Sequence, residues 1–274
     1  MKVLYSVEEI QLWRNQISNL KIGFVPTMGA LHKGHFELVN ACKAKSDISV
    51  VSIFVNPTQF NDQDDLKKYP SSYENDLKLL QKANVDVVFI PDYADLYFGE
   101  EQLEVDIKGL DLKLEGEARP GHFDGVIRVL SIFFKLLNPS LSFFGEKDFQ
   151  QVLVVEQLVH QHFSQIELVR CPTSREPNGL ARSSRNKHLS NEEFIKASEI
   201  FQVLNWFKNQ VNQNNIKDTL LNAKEKLSNT FKVEYLELRD EVELNQVTCT
   251  LQNSRLFVAV KLSNIRLIDN IKIG

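Results

Sequence analysis

The chain has 274 residues, 43% hydrophobic and 25% charged, with a net charge of −4. This is the balance of a globular protein with room for one large domain or two ordinary ones, and it argues against a general nucleic-acid binder while leaving space for a local basic cleft. Its three cysteines, Cys42, Cys171 and Cys249, lie far apart without a CxxC, so reduced thiols in a cytoplasmic protein are expected. The opening residues have no signal-peptide h-region, and the most apolar stretch, Val126 to Leu137, carries Arg128 and Lys135 and is too short to span a bilayer.

In chain order, Ser6 to Leu20 reads as a lead-in helix, with Ser6 and Glu9 at capping-box spacing. Ile22 to Val25 suits a buried strand that Pro26 ends, and after a loop containing Gly29 and Gly34 the apolar pattern resumes as a crossover helix over Phe36 to Lys45. Ile48 to Val55 is a nearly continuous β-branched run, as in a parallel strand covered on both faces. Asp62 to Tyr69 reads as an acidic loop, Ser71 to Lys82 as a helix, and Val85 to Ile90 as a strand closed by Pro91. Asp92 to Gly121 is less regular. A helix follows over Asp124 to Leu137, a strand over Leu141 to Phe144, a helix from about Lys147 to His160, a strand over Ile166 to Cys171, and a polar loop from Pro172 to Ser190. This alternation predicts a doubly wound, Rossmann-like parallel α/β sheet.

From Asn191 the pattern changes. Helical segments at Glu192–Val211 and Ile216–Ser228 precede strand-like runs at Phe231–Leu238, Arg255–Leu262 and Ile265–Asn270. They predict a smaller α+β domain with an antiparallel sheet. The boundary is expected within Pro172–Arg185, dividing the chain into 1–175 and 176–274.

Three stretches carry candidate chemistry. In Lys21 to Asn40, strand, glycine-bearing loop and helix start follow one another, and His32 and His35 sit at the junction as His-x-Gly-His. Each imidazole could simply cap the helix or fill the turn. As a pair beside a helix N-terminus they could instead donate to phosphate oxygens as charge builds. A zinc site would need further Cys or His ligands nearby, and there are none. Gly145-Glu146-Lys147-Asp148 follows a strand at a helix start, where Lys147 and Gln151 would share a helix face. Lys147 could reach phosphate and Asp148 ribose, or the acids could merely favour the helix dipole. Cys171 to Asn186 is a loop with two prolines, three arginines and vicinal serines, able to fold over a triphosphate or to serve as a linker.

Pro26-Thr27-Met28-Gly29-Ala30-Leu31-His32-Lys33-Gly34-His35 resembles the first motif of the pantothenate synthetase family, ligases that join pantoate and β-alanine. Its His-x-Gly-His is also similar to the wider nucleotidylyltransferase superfamily. Phe143 to Gln151 resembles a second motif of the family and Cys171 to Asn186 a third. The resemblance spans roughly Pro26 to Asn186. It implies ATP as a substrate with Mg²⁺, no tightly bound organic cofactor, no nucleic-acid or membrane partner, a homodimer, and chemistry through a pantoyl adenylate with release of pyrophosphate and AMP.

By the same resemblance, His35, His32, Lys147 and Arg185 are catalytic. Pro26, Thr27, Met28, Gly29, Gly34, Gly145, Asp148, Ser174, Arg182, Ser183 and Ser184 join them around ATP. Met28, Phe54, Asn56, Gln59, Arg119, His122 and Gln151 take pantoate or β-alanine. Glu115 matches an active-site carboxylate, and Asp76 a position linked to Mg²⁺. The family often has methionine where Arg182 and Thr58 stand, so no side-chain role carries over to those two. The C-terminal domain is implied to act as a lid, with the Pro172–Asn186 loop shielding the intermediate from water. A dinucleotide-forming relative would keep His-x-Gly-His without the Asn56, Gln59 and Gln151 set, and a non-catalytic nucleotide-binding module would show no turnover.

Overall fold

The apolar runs of the first two thirds of the chain assemble one sheet of six parallel strands. The structure, a computed structural model, describes residues 1–61, 63–70 and 72–274. The elements are β1 (Lys2–Leu4), α1 (Val7–Asn15), β2 (Ile22–Thr27), α2 (Lys33–Lys45), β3 (Ile48–Ile53), α3 (Gln63–Lys68), α4 (Tyr73–Lys82), β4 (Val87–Phe89), α5 (Tyr93–Tyr97), α6 (Leu114–Ala118), α7 (His122–Leu137), β5 (Leu141–Gly145), α8 (Phe149–His162) and β6 (Glu167–Cys171). The strand order is β1-β4-β3-β2-β5-β6, with every pair parallel. The chain therefore winds outward from β2 in both directions, and the switch point lies between β2 and β5. In open α/β sheets ligands bind at the carboxyl ends of the strands at such a point.

The sheet is covered on both faces, as its β-branched strands require. On one face Val25, Val51, Ile53 and Val88 pack with Val39 and Cys42 of α2 and Leu80 of α4. On the other, Phe24 and Phe89 meet Phe133 edge-on at 5.6 and 6.0 Å. α7 buries Phe123, Val126, Leu130, Phe134 and Leu137, so its mainly apolar sequence, interrupted by Asp124, Arg128 and Lys135, is that of a largely buried helix.

A second unit comprises Lys147–Phe149 and Thr173–Gly274. It holds α9 (Asn191–Ala197), α10 (Glu199–Gln210), α11 (Ile216–Ser228), β7 (Lys232–Asp240), β8 (Ser254–Leu262) and β9 (Ile265–Lys272), with the strands antiparallel in the order β7-β8-β9. Ile200, Leu204, Phe207 and Leu227 form its core with Leu256, Val258 and Val260.

Several elements differ from the sequence expectation for local reasons. β1 was not anticipated, since three residues are too few to show a period. The lead-in helix keeps its Ser6–Glu9 capping box but ends at Asn15, and Asn19 turns into the left-handed region at φ 61°. α2 starts at Lys33, three residues earlier than expected, because His32 caps it. β2 runs through Pro26 to Thr27. Ile22, Phe24 and Pro26 face β5, and pairing with β5 stops at Phe24, so the missing Pro26 N–H costs no ladder bond. The acidic loop contains α3, where Asp64 and Lys67 pair at 3.8 Å on the surface. Asp62 and Ser71 lie outside the described residues. The expected helix over Glu192–Val211 is two helices, parted at Ser198, whose hydroxyl donates to Ile195 O at 2.7 Å.

One buried side chain fixes the loop after β2. Gly29 has φ +79° and Ala30 φ +51°, two successive left-handed residues, the second strained because it carries a Cβ. The fully buried carboxylate of Asp76, from the first turns of α4, holds them there. Its Oδ2 accepts from the Ala30 N–H at 2.7 Å and its Oδ1 from the Leu31 N–H at 2.9 Å, while Ser72 donates to Oδ1 at 3.3 Å.

Two outcomes follow from this packing. Asp76→Ala takes the carboxylate acceptors from two buried N–H groups, and a lost buried acceptor costs about 1–3 kcal/mol. Urea unfolding should show a fall of that order, with Asp76→Asn intermediate because it keeps one acceptor; parent-like stability in Asp76→Ala would contradict the role given to the carboxylate. The thiols should also differ. Burial pushes Cys42 up to about 11 and raises Cys171, whereas Cys249 is exposed. Iodoacetamide at neutral pH should therefore label the native chain at Cys249 alone and all three cysteines after denaturation.

Candidate active site

At the switch point the two histidines build the start of α2. His32 is its N-cap: its Nδ1 accepts from the Gly34 N–H at 3.1 Å, and the His35 Nδ1 accepts from the His32 N–H at 3.2 Å. The rings lie 4.0 Å apart between centroids at 37°. A neutral imidazole has one donor and one acceptor nitrogen, so a backbone N–H on each Nδ1 places the proton on Nε2. Helix capping and phosphate handling, alternatives in the sequence, are thus compatible: capping turns both Nε2 atoms into donors. Thr27 steadies the entry to the loop, its hydroxyl donating to Ser52 O at 2.7 Å and accepting from the Gly29 N–H at 3.2 Å.

Beyond β3 lies a second cluster, centred on Asn56 and Gln59, both buried. The Asn56 amide donates to Gln59 Oε1 at 3.1 Å and to Gly125 O at 3.0 Å, and its Oδ1 accepts from Tyr97 Oη and Thr58 Oγ1 at 2.8 Å each. With its hydrogen-bonding capacity spent, Asn56 sets the Gln59 amide so that Nε2 is the presented donor; that atom lies 3.1 Å from Met28 Sδ. Thr58, where no role could be transferred, is part of this hub. Phe54 is buried 6.2 Å from Phe133 and 6.3 Å from Tyr97 between centroids.

Arg119 and His122 grip the same turn. The guanidinium can only donate, so the 3.2 Å contact makes His122 Nε2 an acceptor, and His122 Nδ1–H donates to Gln59 O at 2.8 Å. The turn also needs Gly125: a Cβ there would meet Thr58 O at 2.4 Å, so only glycine lets α7 approach so closely. Burial raises Tyr97 above the ordinary phenol range. Gln151 lies on α8. Its neighbour Gln150 is the buried one, taking the Glu115 N–H on Oε1 at 2.9 Å and donating to Lys113 O at 2.7 Å.

Gly145 closes β5, and the second unit carries the remaining candidates. Lys147 and Asp148 occupy a 3-10 turn, and α8 starts after it at Phe149 rather than at Lys147 as the spacing suggests. The Lys147 ammonium reaches Asp148 Oδ1 at 3.2 Å. The loop after Pro172 is ordered by its own contacts. Arg175 and Ala181 form a bridge, and the Arg182 N–H donates to Ser174 O at 2.9 Å. The Arg182 guanidinium folds back onto Ser174 Oγ and Glu176 at 3.2 Å each. Ser183 caps a turn over Ser184–His188 by accepting from the Arg185 N–H at 3.3 Å.

Asp76 meets two backbone N–H groups, and among the described residues no cluster of three or more His, Cys, Asp or Glu is placed to hold a metal ion. Sequence reasoning missed Tyr97, Gly125, Asp269 and Asn270. Gly125, alone inside an apolar helix, signals a close approach. Asp269 and Asn270 break the apolar alternation of the last strand, whereas Tyr97 lies in an irregular segment without any pattern. The Asp269 carboxylate takes both arms of Arg175, at 2.6 and 3.0 Å; burial pushes its carboxyl up from the ordinary range against that pull.

The comparisons with known proteins agree over the whole length. The family model for pantoate–β-alanine ligase matches residues 2–272. The pantothenate synthetase of Bdellovibrio bacteriovorus is 42% identical over 272 residues, covering 99% of each chain, and that of Campylobacter concisus is 40% identical over 277 residues at the same coverage. The crystal structure of pantothenate synthetase from Thermus thermophilus superposes with a TM-score of 0.90 at 36% identity, over 100% of this chain and 99% of that one. Pantoate–β-alanine ligase from Francisella tularensis, solved in complex with β,γ-ATP and β-alanine, gives 0.82 at 34% identity, over 99% and 97%. With this agreement of sequence and fold, the chain belongs to the pantoate–β-alanine ligase family.

Proposed function

We propose that this chain condenses pantoate with β-alanine at the expense of ATP, through a pantoyl adenylate. The observation that carries the reading is the pair of imidazoles at the switch point, each held by a backbone N–H in the tautomer that donates from Nε2. Two fixed donors at a helix start suit a reaction that builds negative charge on phosphate.

A pantoate carboxylate oxygen attacks the α-phosphorus of ATP, and the bond to the β-phosphate oxygen breaks, releasing pyrophosphate. The β-alanine amine, as free base, then attacks the acyl carbon. The bond from that carbon to the bridging oxygen breaks, and AMP leaves with that oxygen while the amine loses a proton. Mg²⁺ accompanies ATP as part of the substrate. His32, His35, Lys147, Ser183, Ser184 and Arg185 are assigned to the phosphates and Asp148 to ribose. Gln59 and Gln151 donate to pantoate, with Met28 and Phe54 walling its methyl groups. Asn56, Arg119 and His122 act through Gln59, whose side-chain and main-chain oxygens they hold. The division into a catalytic region, 1–175, and a lid, 176–274, and assembly as a homodimer belong to the same proposal.

Omitting substrates in turn tests this. AMP should accumulate from ATP only with both pantoate and β-alanine present, yet labelled pyrophosphate should exchange into ATP with pantoate and Mg²⁺ alone. Exchange that requires β-alanine in an otherwise active enzyme would overturn the stepwise route. His35→Ala should lose about a hundredfold in turnover, the usual cost of one transition-state donor, while unfolding near the parent temperature. A folded His35→Ala with parent turnover at saturating substrates would remove His35 from the machinery.

A further inference from the structure

The polar dipeptide near the end of the last strand, Asp269-Asn270, has no part in the chemistry above. Both residues are buried, at 4% and 3% exposure. A buried ion pair is poor value as a stabiliser, since desolvation offsets most of its attraction and apolar residues of like volume would do as well. The contacts show what it holds. Asp269 binds the Arg175 guanidinium through both oxygens, and Arg175 also donates to Gly179 O at 3.1 Å and Asn270 O at 3.2 Å while lying 4.0 Å over the Phe201 ring. One arginine thereby ties the 175–181 hairpin, which leads into Ser183-Ser184-Arg185, to β9. Asn270 reaches the other segment. Its Nδ2 donates to the main-chain oxygen of Lys147 at 2.9 Å, its Oδ1 accepts from Arg255 at 2.6 Å, and its own N–H donates to Asp269 Oδ1 at 2.7 Å. Arg255 is in turn held by Glu241 at 2.9 Å and covers the Phe149 ring at 4.1 Å.

We propose that Asp269 and Asn270 are positioning residues for ATP: Asn270 sets the main chain of Lys147, and Asp269, through Arg175, sets the loop that carries Ser183 to Arg185. The inference rests on the assignment of those groups to the triphosphate. A single dipeptide fixes two segments that lie 123 and 94 residues away in the chain. An ångström of misplacement at such groups costs up to about a hundredfold in rate, so the polar pair is retained for geometry rather than for stability.

The test uses the full chain with Asn270→Ala, Asn270→Asp, Lys147→Ala and the double variant Lys147→Ala/Asn270→Ala. Asn270→Asp keeps the shape and the Arg255 contact but turns an acceptor toward the Lys147 carbonyl, so it reads position even where Asn270→Ala folds poorly. Either Asn270 variant should lower kcat/KM for ATP by about tenfold or more while KM for pantoate stays at the parent value. In the Lys147→Ala background the Asn270→Ala loss should nearly vanish, because the asparagine acts through the lysine. An undiminished loss in that background, parent ATP kinetics in Asn270→Asp, or ATP and pantoate parameters falling together would overturn the inference. Lys147→Ala with parent ATP kinetics would overturn the assignment of Lys147 itself, and the Asn270 inference with it, and is read separately in the single variant.

Discussion

A buried carboxylate holding two backbone N–H groups shapes the loop that leads from β2 into α2, and the histidine pair depends on that loop. Asp76 holds the left-handed turn at Gly29 and Ala30 through the Ala30 and Leu31 N–H groups, Thr27 takes the Gly29 N–H, and the loop so shaped leads into the extended N-cap conformation of His32. From that cap the rest follows. The free N–H groups of the first helical turn need acceptors, two imidazole Nδ1 atoms supply them, and the proton each ring carries is thereby placed on the opposite nitrogen. The same interaction terminates a structural problem and poises a chemical group.

The Gln59 turn repeats this economy. Asn56, Tyr97 and Thr58 saturate one another, and Arg119 and His122 close on the main chain, so the amide of Gln59 has one orientation. Fully satisfied buried networks specify a unique geometry more than they add stability, whereas a half-satisfied one would cost more than an apolar core. Gly125 shows how tightly that geometry is drawn, since a single added methyl would collide with the turn backbone.

The fold could be read from the chain because its signals are local. Runs such as Ile48-Ser49-Val50-Val51 and the glycine-flanked loops declare strands and crossovers within a few residues. The departures from that reading are local as well: a three-residue edge strand, a proline tolerated where its neighbour strand has diverged, and a serine that parts two helices. The candidate site was legible as a set of side chains, because His-x-Gly-His and Ser-Ser-Arg-Asn are contiguous, but not as a set of roles. Asn56 reads as a ligand group, and the fold adds that its amide holds the Gln59 side chain. Asp76 acts 46 residues away on Ala30, and Asn270 acts on Lys147 across 123. No spacing rule reaches that far, so such roles become visible only once the chain is folded.

Whether a pantoate oxygen becomes covalently joined to the α-phosphorus of ATP is read by following that oxygen. Pantoate labelled with ¹⁸O in both carboxylate oxygens, turned over with ATP and β-alanine, should leave one label in the phosphate of AMP and one in the amide carbonyl of the product. Unlabelled AMP, or label carried into inorganic phosphate or pyrophosphate, would contradict it.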